Sequence, residues 1–499
     1  MAPVAKATHP PARQGAACRD SRSMIERRPS TLIAARVFLV TLGVLLLGYM
    51  FLGRGFAHIG VPPLYVGELA LAIGLVSTGF VLARTWPPRR PSVVVWLLIA
   101  FMALGALRTI PYLGTYGVDA LRDAVLWGYG AFALMLYVVV DRDVIGRAMR
   151  AYAWIVPVFA LWLPISWTLF RIMSSAIDPA RPGEVVPLVF FKSGDMAVHI
   201  AGCLAFLVFA LPAGLGNRGF LVRMAIAVPL AWTALVGWAT NRGSLVAIAA
   251  AVALAVVIGR RWRPWAPLAA GAFIALMIFS LPSPIAIPED GADSTPVATA
   301  GAQRPTPTPQ PRPERTPVAE PTDPPGRQVG IRQVIENFVS IFVPSSDSGL
   351  SGTRAFRLAW WSEIVDYTVF GPYFWDGKGF GVNLATDDGF QPTADQSLRA
   401  PHNSHMTALA RMGVPGFVLW AIMQGTFAVM LLRATWAHRR QGDRLLAAAG
   451  AWVLVYWAAI MVNTSFDPYL EGPQGGIWFW ALFGTGLVVM RLRSLHATS

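Results

Sequence analysis

Apolar runs recur along almost the whole chain, and no other feature constrains its fold as much. They fall at about 32–51, 64–83, 93–108, 118–140, 152–170, 195–213, 221–240, 243–259, 264–282, 405–432, 445–463 and 475–490. A helix needs about 20 consecutive apolar residues to cross the hydrocarbon layer of a bilayer. Within that layer every backbone N–H and C=O must be satisfied inside the segment, which favours helices. With 55% hydrophobic and only 14% charged residues among 499, a soluble core is excluded. The expected class is an all-α polytopic membrane protein with about twelve transmembrane helices.

The net charge of +14 raises the question of nucleic acid, but its placement argues against it. Lys and Arg lie in short stretches between apolar runs, with no basic face interleaved with aromatics. No nucleic-acid partner is expected; the partner is the lipid bilayer. The basic linkers carry Arg84/Arg89/Arg90, Arg142/Arg147/Arg150, Arg218/Arg223, Arg260/Arg261/Arg263 and Arg433/Arg439/Arg440/Arg444, with Arg491 and Arg493 near the C-terminus. All fall on one side when both termini are cytoplasmic, as the positive-inside rule requires. The first apolar run is longer than a signal-peptide core and lacks a clean cleavage site, so it reads as a retained span. Two cysteines, Cys18 and Cys203, offer no disulfide framework.

This topology divides the chain into a basic cytoplasmic tail (1–30), nine helices (31–282), a long extracytoplasmic loop between helices 9 and 10, and three further helices (405–499). The loop has two parts. Residues 283–329 are rich in Pro and Thr, a composition expected to be disordered. Residues 330–404 are expected to be ordered, with short helices; "IRQVIENFVSIFV" reads as an amphipathic helix on the membrane.

Chemistry-bearing residues concentrate on the outer side. Arg357 in "RLAWW" precedes Trp360 and Trp361 by three and four residues, which puts them on one helix face. That is either an interfacial Trp pair beside a snorkelling Arg or a guanidinium held by aromatic packing to clamp a phosphate. Arg242 sits in "TNRGS", a very short outer turn that positive-inside does not explain; it is either a turn residue or a ligand-binding group. Lys192, Asp195 and His199 in "KSGDMAVH" lie at the outer mouth of the sixth helix and extend a polar site. His402 opens the tenth helix with Asn403 or Ser404 as its N-cap, and a neutral His there can accept a proton from a hydroxyl. His405 lacks a third placed ligand, so no metal is expected. Gly413–Gly416 reads as a bend where the chain approaches another backbone. Asp387 and Asp388 read as a solvated loop, the other reading being a divalent-ion site. The glycines of "GKGFG", at 377, 379 and 381, read as a tight turn.

The stretch His402-Asn403, nine residues, Gly413, two residues, Gly416, preceded by Arg357-x-x-Trp360-Trp361 and the Gly377–Gly381 turn, resembles the O-antigen ligase and polymerase superfamily. The short Arg-Gly turn at Arg242 agrees with it. The resemblance is most specific over about 350–420 and elsewhere agrees mainly in topology. It implies a GT-C-like glycosyltransferase of the bacterial plasma (inner) membrane with an extracytoplasmic active site. Such an enzyme moves a glycan from undecaprenyl pyrophosphate to a glycan or lipid acceptor hydroxyl, inverting, without metal or other cofactor. On that footing His402 engages the acceptor, Arg357 and Arg242 bind the donor pyrophosphate, and Asn403, Lys192, Asp195 and Trp361 support them. The alternatives are a polysaccharide polymerase of the same superfamily, or a transporter of lipid-linked glycan.

Overall fold

The computed structural model describes residues 29–496 except 62–63, 86–90, 176–186, 212–215, 260–263, 281–330, 343–347, 393–395 and 397. The expected N-terminal tail, apart from its last two residues, and the Pro/Thr-rich linker therefore lie outside the described residues. Each of the twelve apolar runs carries helix over most of its described residues. Eight helices are long and apolar enough to cross a membrane, with a ninth if Val118–Gly128 and Gly130–Val139, bent by 45° where they meet, form one span. Ser193–Phe209, Gly243–Gly259 and Trp265–Phe279 are apolar but shorter. The only strands among the described residues are Gly60–Val61 and Leu64–Tyr65, paired as a small hairpin. The chain is thus an all-α polytopic membrane protein. The Pro473–Arg493 span is the most enclosed, with 89% of its apolar window buried, and so forms the axis on which the outer spans pack.

The polar groups separate to two ends. At one end, Arg142 pairs with Asp443 at 3.1 Å, Arg223 donates to the carbonyls of Leu207 and Leu211, and Arg491 to those of Tyr137 and Val140. These are linkers that the charge rule groups together, and their arginines occupy carbonyls that helix ends leave unsatisfied. Arg54, Lys192, Asn241, Arg357 and the loop at 463–471 gather at the other.

The described part of the long loop before the Ser404–Arg440 helix is held by two interlocked turns. The helix Ser404–Arg440 is interrupted at Gly413, which has φ 66° and ψ −172°, so residues 404–412 form a separate short helix before the long span. Gly377 also has positive φ, at 64°. A Cβ on Gly377 would lie 2.4 Å from the Arg411 carbonyl carbon, and one on Gly413 would lie 2.5 Å from the Phe374 oxygen. The backbones can therefore touch only because both residues are glycine. Lys378 and Gly379 donate to the carbonyls of Ala410 and Arg411 at 2.7 and 3.1 Å, and Val414 donates to Phe374 at 2.8 Å. The "GKGFG" turn thus satisfies the carbonyls that the helix break leaves open. Arg411, fully buried, fixes the same turn through Gly379, Val382 and an ion pair to Asp123 at 2.9 Å.

Two expectations about this region are corrected. Trp360 does not sit at a membrane surface: it is fully buried, stacked on Phe390 at 5.5 Å, and its indole N–H donates to Asp388 at 2.7 Å. Asp388 is likewise not a solvated loop residue. It is buried and pairs with Lys378, which also holds Asp387 at 2.5 Å and lies over the Tyr367 ring. Helical spacing placed the tryptophans on one face but carried no information on what that face meets.

Glu471 lies under the short helix, on the loop between the last two spans, with its Oε1 enclosed and unpartnered. Burial pushes its carboxyl up to about 7, Arg411, Thr407 and Ser404 opposing and Asp123 adding to the rise. Between about 4.5 and about 7 the unfolded chain carries this charge while the folded one does not. The stability it contributes is then full below the unfolded value and lost as pH rises through the folded one. Thermal unfolding in detergent should show a fall in midpoint across this window that Glu471→Gln reduces; an identical pH profile in the variant would contradict this. Gly413→Ala forces a side chain into positive φ against a backbone oxygen. It should destabilise by roughly 1–3 kcal/mol, read as a lower melting midpoint.

Candidate active site

His402 and Asn403 are positioned by a cap and a crossing loop. The Asn403 side chain accepts from the N–H groups of His405 and Met406 at 2.9 and 3.2 Å, the N-cap bonding that starts the short helix. Ser404 N–H donates to the Thr464 carbonyl at 2.9 Å, which seats the helix start on the last outer loop. His402, half-buried, precedes this cap with φ 52°. A positive φ is unusual for a non-glycine residue and is kept only where surroundings enforce it. His405 points elsewhere. Its Nδ1 accepts from the Trp420 indole N–H at 3.1 Å, so its Nε2 carries the proton and donates to the Met461 carbonyl at 3.1 Å. Both ring nitrogens are engaged structurally, which accounts for the HxxH spacing without a metal.

The charged cluster centres on Asp467, a residue sequence reasoning missed. Arg54, also missed, bridges two carboxylates: Nε to Asp195 at 2.8 Å and Nη2 to Asp467 at 3.2 Å. Asp195 and Asp467 side chains are 3% and 10% exposed and that of Arg54 is 11% exposed, so the pairs are screened little by solvent. Breaking such a pair by removing one partner typically costs ~3–5 kcal/mol, because it strands a buried charge. Burial works against the Arg54 charge, but Asp195 and Asp467 outweigh it and raise its proton affinity. Burial alone would push the Asp467 carboxyl up; the charges of Arg54, Lys192, His402 and Arg357 overcome it and hold it below the ordinary range. Lys192, Arg357 and His402, read from three places in the sequence, are therefore brought around one carboxylate, and Asp195 joins them through Arg54.

Arg357 reaches the cluster from the outer helix Ser348–Val369. One of its N–H groups donates to the Phe466 carbonyl at 3.2 Å, and it forms no ion pair among the described residues. Its neighbour Trp361 donates to the Pro401 carbonyl at 2.9 Å, tying this helix to the segment that delivers His402. The Arg242 side chain lies outside the described residues. Its turn is described: Asn241 Oδ1 accepts from Gly243 N–H at 2.7 Å, and a Cβ on Gly243 would lie 2.9 Å from Phe466 Cβ. The turn therefore abuts the residue whose carbonyl holds Arg357. His199 sits deeper, its Nδ1 2.5 Å from the Tyr456 hydroxyl, and does not join the cluster.

A signal for Arg54 was present. It follows the first span on the side expected to be extracytoplasmic, where positive-inside offers no reason for an arginine, which is the argument that singled out Arg242. Asp467 had only a weak one, an acid in a short outer loop. Chemically, the site offers fixed cations around an ionised carboxylate, with an imidazole beside them. That arrangement can bind a polyanion and relay a proton.

No curated protein matches the chain. Residues 226–421 match the family model described as O-antigen ligase. The matched span holds the Asn241–Gly243 turn, Arg357, the interlocked glycine turns and His402, and over it the chain is similar to the O-antigen ligase family, which supports a place in the O-antigen ligase and polymerase superfamily.

Proposed function

We propose that this protein transfers a glycan from undecaprenyl pyrophosphate to an acceptor hydroxyl at the outer face of the bacterial plasma membrane, in the manner of an O-antigen ligase. The observation that carries the reading is Arg357. Its guanidinium is held by a carbonyl, not a carboxylate, so its charge and remaining donors are directed to an anion. Arg54, by contrast, has its charge matched by two carboxylates and serves to fix the loops. Lys192 and Arg242 complete the anion-binding side.

In the proposed reaction the acceptor oxygen attacks the anomeric carbon as the bond to the diphosphate oxygen breaks. The single displacement inverts that centre. Negative charge grows on the leaving diphosphate, and Arg357 with its neighbours stabilises it where water would do so less well. The acceptor hydroxyl loses its proton to His402, and the ionised Asp467 stabilises the imidazolium that forms. A polymerase of the same superfamily would use the same groups with a different acceptor.

In cells or proteoliposomes, Arg357→Ala and His402→Ala should abolish glycan transfer while expression and membrane insertion stay normal. Arg357→Lys keeps the charge but loses the planar fork, and should lower the rate by roughly 100-fold or more. Near-normal transfer by both alanine variants would sink the reading.

A further inference from the structure

An apolar surface that the proposed reaction does not use lies at the tip of the outer segment, after the Ser348–Val369 helix. Val369, Phe370, Tyr373 and Trp375 are 38%, 80%, 38% and 68% exposed, and Pro372 among them is exposed as well. Five apolar or aromatic side chains within seven residues form a patch that a loop bathed in water has no reason to display.

Its location identifies what covers it. Arg108, in the last turn of the Val93–Thr109 helix, donates to the Trp375 carbonyl at 3.0 Å and pairs with Asp376 at 2.5 Å. That helix belongs to a membrane-span candidate whose residues Leu107 and Ile110 are themselves 65% and 61% exposed, as lipid-facing positions are. The tip is therefore tied to the level at which a span leaves the hydrocarbon layer, where Trp and Tyr partition best. Asp376, 66% exposed on the same turn, supplies the polar rim that such a boundary requires.

The back of the tip is joined to the site. Phe374 receives the Val414 N–H, and the following glycine turn bonds to Ala410 and Arg411. These contacts close the C-terminal end of the short helix 404–412, whose other end carries His402. Height at one end is transmitted to the other through a rigid stretch of about two helical turns.

We propose that Val369–Trp375 is a foothold in the headgroup region of the outer leaflet that sets the height of His402 above the membrane. The partner is the lipid surface itself, and the consequence is that the imidazole meets the membrane-bound donor at phosphate depth.

The test uses the full chain in lipid nanodiscs, with Cys18→Ser and Cys203→Ala as background. Trp375→Cys carries an environment-sensitive fluorophore, and Thr386→Cys, an exposed site beside Asp387, serves as control. Lipids brominated near the top of the acyl chain should quench the dye at 375 several-fold more than at 386. Arg108→Ala should reduce that quenching. A dye at 375 open to aqueous iodide and untouched by bromolipid would overturn the foothold, as would cross-linking at 375 between copies in place of quenching. This readout needs no activity, so it stands or falls apart from the transfer reading. For the height-setting role, Phe370→Ser with Trp375→Ser should slow transfer several-fold in the quench-validated system, and Trp375→Tyr should retain it; unchanged transfer in the double variant would overturn that role.

Discussion

The candidate site depends on the Asp467 carboxylate and the groups it gathers. Arg54 comes from the linker after the first span, Lys192 from the start of a central helix, Arg357 from the outer helix and His402 from the cap of the broken one. Arg54 is largely buried and keeps its charge there because Asp195 and Asp467 oppose it. The Asp467 charge is held in return by Arg54, Lys192 and Arg357, with the His402 imidazole beside it. The loop that carries it does the same work with its backbone: Thr464 accepts from Ser404 and Phe466 from Arg357. A single short loop between the last two spans therefore sets where four distant segments meet.

The second constraint is the break at Gly413. An unbroken helix from 404 to 440 would carry the His402 cap on a straight extension of the span. The glycine, with its counterpart at 377, lets the "GKGFG" turn close on the helix end and turns residues 404–412 into a separate rigid piece. Strain at φ 66° is tolerated there because three backbone hydrogen bonds and the buried Arg411 surround it. Positive φ at His402 marks the other end of the same piece.

Much of this was legible in the sequence, and the limits have physical causes. Apolar run length located the apolar helices, because the bilayer fixes what a span must look like, though three of them are shorter than a full span. The His402-Asn403 to Gly413-Gly416 spacing, Arg357 beside its tryptophans and Lys192 at a helix mouth pointed to residues that the fold brings together. Arg54 was open to the same reasoning as Arg242 but was passed over. Asp467 and Glu471 were not legible, since their environments are built from contacts to residues far along the chain, such as Arg54. The Trp360 and Asp388 readings failed for a related reason: local spacing reveals a face and not its neighbour, and here the neighbours were Phe390 and Lys378.

The central claim is that anion binding and proton removal are separate tasks, given to Arg357 and its neighbours on one side and to His402 on the other. The most direct measurement is binding of undecaprenyl diphosphate to nanodisc-held wild type, Arg357→Gln and His402→Gln, paired with glycan transfer by the same preparations. Arg357→Gln should lose both affinity and transfer, while His402→Gln should bind the diphosphate normally and fail to transfer. Wild-type affinity in Arg357→Gln, or continued transfer by His402→Gln, would contradict it.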